Sequence, residues 1–114
     1  MIELEVEGII SDELGSFLDN MNEIWNSTKL TGKMSTPIFQ TSPIAPMWVY
    51  VFLVFQSWTE GIRNLILIIE HSESNLSYKI HVIGSQVDRF FKIKPSKKLE
   101  REVTEFLVKQ LSLR

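Results

Sequence analysis

Two apolar stretches decide the fold of this 114-residue chain: MWVYVFLVFQSW at residues 47–58 and IRNLILIIE at residues 62–70. Both are dense in aromatic and β-branched residues, the types that fit a pleated sheet. Only Thr59, Glu60 and Gly61 separate them. Because short connections between sequential strands favour antiparallel hairpins, the sequence predicts that these stretches form the centre of an antiparallel sheet.

Shorter strands are predicted on either side of this centre. Apolar and acidic residues alternate over residues 2–9, which is typical of a strand with one buried face. A similar alternation runs from Leu76 to Val82, and Gly84-Ser85-Gln86 after it is predicted to be a turn. Residues 90–94 are then predicted to form a short edge strand.

Apolar residues at helical spacing predict one helix over residues 12–27 and a second helix after Ser96, which is a plausible N-cap. Between them, residues 28–46 form a long loop that contains proline, serine and threonine. The order is β-α-(long loop)-β-β-β-β-α. We therefore expect a single α+β domain over residues 1–114, an antiparallel sheet with two helices packed on one face.

Composition excludes several classes of function. The chain has no cysteine, so disulfides, thiolate zinc sites and a cysteine nucleophile are excluded. Its apolar run at residues 47–55 is shorter than the roughly 20 residues that a membrane-spanning helix needs. The amino-terminal segment is acidic and alternating, unlike a signal peptide, and we expect a cytoplasmic protein without membrane contact.

Catalytic and metal-binding constellations are not evident. The five glycines are dispersed, so no phosphate-binding loop is predicted, and no nucleophile elbow is present. His71 lies in a polar segment with Glu70 and Glu73, and His81 alternates with Lys79 on a strand; we interpret both histidines as surface residues. The sequence predicts a protein that is not an enzyme and holds no metal or cofactor.

The central strands are apolar on both faces, although two helices on one face of a sheet leave the other face in water. In the first strand one alternating set is Trp48, Tyr50, Phe52 and Val54, and the other is Val49, Val51, Leu53 and Phe55. Three arrangements would cover the surplus face: the long loop folds back over it, a second copy packs on it, or the sheet curls around a small apolar ligand between sheet, long loop and carboxy-terminal helix. Monomers seldom expose an apolar patch beyond a few hundred Å².

The second arrangement is our leading hypothesis, a non-enzymatic interaction module that forms a homodimer. The candidate contact residues are Trp48, Tyr50, Phe52 and Val54, with Ile66 and Ile68 of the next strand. Since a one-residue change of register exchanges the two faces, the sequence alone does not decide which alternating set meets the partner.

A basic and aromatic stretch supplies an alternative. It comprises Arg89, Phe90, Lys92, Lys94, Lys97 and Lys98, followed by Arg101. Lysines on a strand could neutralise phosphates while an outward Phe90 stacks on bases, which predicts a nucleic-acid-binding module. The simpler interpretation is an edge strand guarded by lysines, and the net charge of −2 favours it.

Overall fold

The computed structural model describes residues 1–28, 32–41, 47–57, 61–71, 77–87 and 90–112. Within this part the chain forms one antiparallel sheet of seven strands and three α-helices. The strands are β1 (Ile2–Glu7), β2 (Lys33–Met34), β3 (Phe39–Gln40), β4 (Met47–Ser57), β5 (Gly61–His71), β6 (Ser77–Val87) and β7 (Ile93–Pro95). The helices are α1 (Ser11–Asp19), α2 (Met21–Ser27) and α3 (Lys97–Ser112). The predicted α+β class is confirmed.

The sheet is built around β4, β5 and β6, each 11 residues long. Its strand order is β1-β6-β5-β4-β2, while β3 also pairs with β4 and β7 pairs with β6. The predicted hairpin between the two apolar stretches is present, with Tyr50 opposite Leu67 and Phe52 opposite Leu65. The described part of the long loop, residues 32–41, supplies β2 and β3 and so widens the sheet at its β4 edge.

The core lies between the sheet and the three helices, which all pack on one face, called here the inner face. Successive residues of a strand point to opposite faces, so every second residue is buried there from Trp48 to Val54, from Arg63 to Ile69 and from Tyr78 to Gly84. From the helices, Leu14, Leu18, Trp25, Leu99 and Leu107 meet them with no exposed surface. The Phe106 ring of α3 packs edge-on against Trp25 at 5.1 Å between centroids. This contact joins the amino-terminal and carboxy-terminal helices in one core.

The predicted helix over residues 12–27 is in fact two helices, α1 and α2. Asn20 interrupts it with φ −112° and ψ 13°, and its backbone N–H donates to the carbonyls of Ser16 and Phe17. The Asn20 side-chain amide also donates to Ser16 O at 3.0 Å. Asparagine competes for local backbone hydrogen bonds in this way, which explains why the apolar stripe continues while the helix does not.

The predicted turn at Gly84-Ser85-Gln86 is wrong, because β6 continues through these residues to Val87. Gly84 lies on the inner face beneath the start of α3. Its N–H donates to Glu100 Oε2 at 2.9 Å, and its carbonyl accepts the N–H of Ser96, also at 2.9 Å. Glycine is required here by the close approach of a helix, which a sequence does not display.

Candidate interaction surface

The face of the sheet opposite the helices, called here the open face, carries the second alternating set of each strand. On β4 this set is Val49, Val51, Leu53 and Phe55, and on β5 it begins with Ile62, Asn64, Ile66 and Ile68. These residues are partly or largely exposed, whereas their neighbours in sequence are buried. No described residue of the helices covers this face.

The contact residues predicted on β4 are therefore wrong. Trp48, Tyr50, Phe52 and Val54 are at most 2% exposed, because they lie on the inner face under the helices. Ile66 and Ile68 do lie on the open face, where they are partly exposed. The corrected set on β4 is the complementary one, which the alternation in sequence could not distinguish from the first.

The strand register aligns the open-face residues in rows that cross the sheet. One row joins Phe55 and Ile62 to Val87 and Ile93, the next joins Leu53, Asn64, Ser85 and Pro95, and a third joins Phe39, Val51, Ile66 and Ile83. None of these residues carries a charge, although Lys33 of β2 pairs with Phe55 at the outer end of the first row. At the end of the sheet an open depression of about 550 Å³ is lined by Phe55, Gly61, Ile62, Asn64 and Val87. The apolar surface thus reaches from β3 to β7.

The opposite end of the open face is charged. In the last two rows Ile68 pairs with His81 and Glu70 pairs with Lys79. His81 lies between two carboxylates, with Nδ1 3.5 Å from Glu3 Oε1 and Nε2 3.2 Å from Glu70 Oε2. Acidic and basic side chains thus lie side by side here, and among the described residues no cluster of histidine and carboxylate ligands could hold a metal ion.

His71 is not the solvated turn residue that the sequence suggested. It is the last residue of β5, and its ring stacks on Tyr78 at 4.7 Å between centroids. The Tyr78 hydroxyl lies 2.8 Å from Ser11 Oγ at the start of α1. These contacts hold α1 against the sheet, and we assign them a structural role.

The Tyr50 hydroxyl, like that of Tyr78, forms a hydrogen bond that connects the sheet to α1. It donates to Asp19 Oδ1 at 3.0 Å, and Gln40 Nε2 donates to the same oxygen at 2.7 Å. Burial raises the pKa of Tyr50 well above its usual range, and the hydrogen bond to the Asp19 carboxylate raises it further. The phenol therefore stays protonated and ties α1 to β4, while Asp19 also holds β3.

The basic stretch is partly within the described residues. Arg89 lies outside them, while Lys92, Lys94, Lys97, Lys98 and Arg101 are exposed. The predicted edge strand begins later than expected, at Ile93. Phe91, expected to face the sheet beside Ile93, is instead 89% exposed, and Phe90 is 70% exposed. Phe91 has φ +61°, in the left-handed region, which is uncommon for a bulky residue.

Sequence reasoning missed several open-face residues, namely Phe39, Ile62, Val87 and Ile93. Phe39 was placed in a loop and Val87 beyond a turn, so neither was assigned to a strand. The signal that could have found Val87 is the alternation of β6. Inner and outer positions alternate from Tyr78 as far as Val87, with Gly84 at an inner position. The third arrangement, a small apolar ligand between sheet, long loop and carboxy-terminal helix, stays a prediction.

Comparison with protein families, with curated proteins and with solved structures finds no match to this chain. No helix in the described part of the chain is long and apolar enough to cross a membrane.

Proposed function

We propose that this protein is a non-enzymatic interaction module whose open face binds a second copy of the chain. One observation carries the proposal: from β4 across β5 and β6 to β7, three successive rows of the open face contain no charged side chain, and no described helix residue lies over them. Strands about 4.8 Å apart, with rows about 6.6 Å apart, give these rows a projected area of roughly 400 Å². Patches of that size on a monomer commonly mark a binding surface.

The size of the open face suits a dimer. Taken over all seven strands, the face has a projected area of roughly 700 Å² at standard strand spacings. A stable interface buries about 800 Å² on each partner, so two such faces form an interface of ordinary size. Sheets that pack face to face keep their strands within about 30° of each other, with side chains interdigitating between them.

Charge complementarity favours a second copy over an unrelated partner. Glu70 on β5 and Lys79 on β6 lie side by side in one row. A two-fold axis parallel to the strands, between β5 and β6, exchanges these two strands between copies. Glu70 of each copy then faces Lys79 of the other, while the apolar rows of one copy meet the apolar rows of its partner. A symmetric interface of this kind is self-complementary, as two-fold dimers require.

The test is the mass of the protein in solution, measured by native mass spectrometry and by light scattering at micromolar concentration. We expect a dimer, and we expect Ile66→Glu to yield a folded monomer. Ile66 is partly exposed in one chain, so the new carboxylate reaches water in the monomer but is buried in the dimer. An unpaired charge buried in an interface costs about 2–5 kcal/mol, which is at least a roughly 30-fold loss of affinity.

Val108→Glu is the matched control, because Val108 is a half-exposed valine on α3, the helix that packs on the inner face. It introduces the same charge and should leave the dimer intact. Far-UV circular dichroism and thermal melting establish that both variants are folded. A wild-type protein that is monomeric at 50 µM would contradict the proposal, and so would a folded Ile66→Glu variant that remains dimeric.

Charge reversal tests the two-fold arrangement separately. Glu70→Lys places like charges opposite each other at two symmetric positions, and we expect dimer dissociation to become roughly tenfold easier at low salt. The double variant Glu70→Lys/Lys79→Glu restores opposite charges and should recover the wild-type affinity. If the double variant is as weak as the single one, the proposed axis is wrong, even if the dimer itself exists.

A further inference from the structure

A strip of basic and aromatic residues, Phe90–Arg101, leads from the end of β6 through β7 into the first turns of α3. It contains five basic residues and one acidic residue, Glu100. The basic residues are Lys92, Lys94, Lys97, Lys98 and Arg101, and all are exposed. The strip is separate from the apolar rows of the open face, apart from Ile93 and Pro95.

The acidic residue of the strip does not face solvent. Glu100 is 3% exposed, and its Oε2 accepts the N–H of Gly84 at 2.9 Å. Its Oε1 lies 3.0 Å from the amino group of Met1. Because this carboxylate is turned into the interior and paired there, it does not offset the lysines outside. The exposed charge of the strip is therefore +5, in a chain whose net charge is −2.

Two phenylalanine rings stand next to this charge. Phe90 and Phe91 are 70% and 89% exposed, while Phe91 also adopts a left-handed backbone conformation that is rare for a bulky residue. A strained backbone opposes folding and exposed rings contribute no burial energy to it, and strain of this kind clusters at functional sites. The adjacent Ile93 is also exposed, but its partner in the sheet is Val87, so it belongs to the open face.

Two of these lysines lie where a positive charge destabilises α3. Lys97 and Lys98 occupy the first turn of α3, where the helix dipole disfavours cations. Lys94 pairs with Gln86, an inner-face position of β6, so it lies on the same side of the sheet as α3. The cations of β7 and of α3 thus share one side of the molecule, where they can contact one extended anion.

We infer that the strip binds single-stranded nucleic acid, with Lys94, Lys97, Lys98 and Arg101 contacting phosphates and the rings of Phe90 and Phe91 stacking on unpaired bases. Exposed aromatic rings combined with exposed cations are the features that bind single strands without sequence preference. A duplex hides its base faces and offers phosphates alone. The cations are spread along β7 and the first turns of α3, so an extended polyanion can contact several of them at once.

The experiment is a fluorescence anisotropy titration with labelled 20-mers of deoxythymidine and of uridine, and with a 20-base-pair duplex as comparison. We expect tighter binding of the single strands than of the duplex. Contacts to four or five phosphates predict a roughly 50- to 130-fold loss of affinity between 50 and 200 mM salt. No binding of either single strand at 50 mM salt would overturn the inference.

Two pairs of variants test the two kinds of contact. Phe90→Ala/Phe91→Ala should weaken single-strand binding by roughly tenfold or more, whereas Phe39→Ala, at an exposed phenylalanine outside the strip, should not. Lys97→Gln/Lys98→Gln should lower the affinity and flatten its salt dependence, with Lys109→Gln near the end of α3 as control. Removing cations from a first helical turn favours the helix, so lost binding would not reflect unfolding.

Unchanged binding after loss of both rings would overturn the inference. So would sedimentation with phosphatidylserine vesicles in a protein that binds no oligonucleotide, because it would assign the strip to a membrane surface. The inference is independent of self-association, and the Ile66→Glu monomer should bind single strands with the same affinity per chain.

Discussion

Gly84→Ala tests the packing of α3 on the sheet at its closest point. An added methyl group would lie 2.9 Å from the carbonyl oxygen of Ser96, 3.1 Å from Glu100 Cγ and 3.3 Å from Leu99 Cβ. The first neighbour is backbone, so the start of α3 must move by several tenths of an ångström. That movement lengthens the hydrogen bonds that Gly84 makes with Ser96 and Glu100, both 2.9 Å.

The expected cost is the cost of overpacking, about 1–3 kcal/mol, reduced slightly because alanine restricts the unfolded chain more than glycine does. For a domain of this size we expect the melting temperature to fall by roughly 5–10 °C. Urea unfolding at a fixed protein concentration measures the free energy of unfolding. An unchanged m-value would show that the variant exposes as much surface on unfolding as the wild type does.

Gly15→Ala is the matched control. Gly15 lies inside α1, and a methyl group there would meet nothing within 4 Å. The same substitution should therefore stabilise the protein by about 0.5–1 kcal/mol through helix propensity. Our account of the α3 contact is refuted if Gly84→Ala leaves the free energy of unfolding within 0.5 kcal/mol of the wild-type value while Gly15→Ala behaves as expected.

Two further predictions concern β4. Phe52→Ala removes a fully buried ring and should lower the free energy of unfolding by about 3–5 kcal/mol. Leu53→Ala, on the open face, should mainly weaken the dimer. Equal effects of both variants on urea unfolding would contradict the assignment of faces. Because the pKa of Tyr50 is raised in the folded state, an unfolded chain releases this proton from about pH 10 upwards while the folded chain retains it. Stability contributed by the protonated phenol is thus fully present below pH 10 and lost above it, by at most about 1.4 kcal/mol per pH unit. Tyr50→Phe should flatten the decline measured between pH 9.5 and 11, and an equally steep decline in that variant would show that other groups cause it.

Local patterns in the sequence were sufficient for the class of fold and for most elements. Alternation and β-branched composition located β1, β4, β5 and most of β6, and helical spacing located the helical segments. These predictions succeeded because the period of the apolar residues reports directly on strand or helix. Two single residues were misjudged: Gly84 was taken for a turn, and Asn20 was not recognised as a helix break.

For the candidate site, the sequence indicated that β4 and β5 are apolar on both faces, but it could not say which face is open. Trp48 and Val49 are equally suited to either face, since a shift of one residue exchanges them. The helices decide the matter by covering Trp48, Tyr50 and Phe52. The cross-strand rows depend on register between strands that are distant in sequence, such as Val51 with Phe39.

For the basic strip, too, some features are visible in the sequence and others only in the tertiary structure. Its composition is visible in the sequence, and the alternation of lysine and phenylalanine suggested the same ligand. Its effective charge is not visible there, because Glu100 counts against the lysines until α3 docks and turns that carboxylate towards Gly84. The sequence by itself determined the periodicity of each segment, which is a local property of the chain. The tertiary structure decided which surfaces remain in water, because burial depends on contacts between segments far apart in sequence.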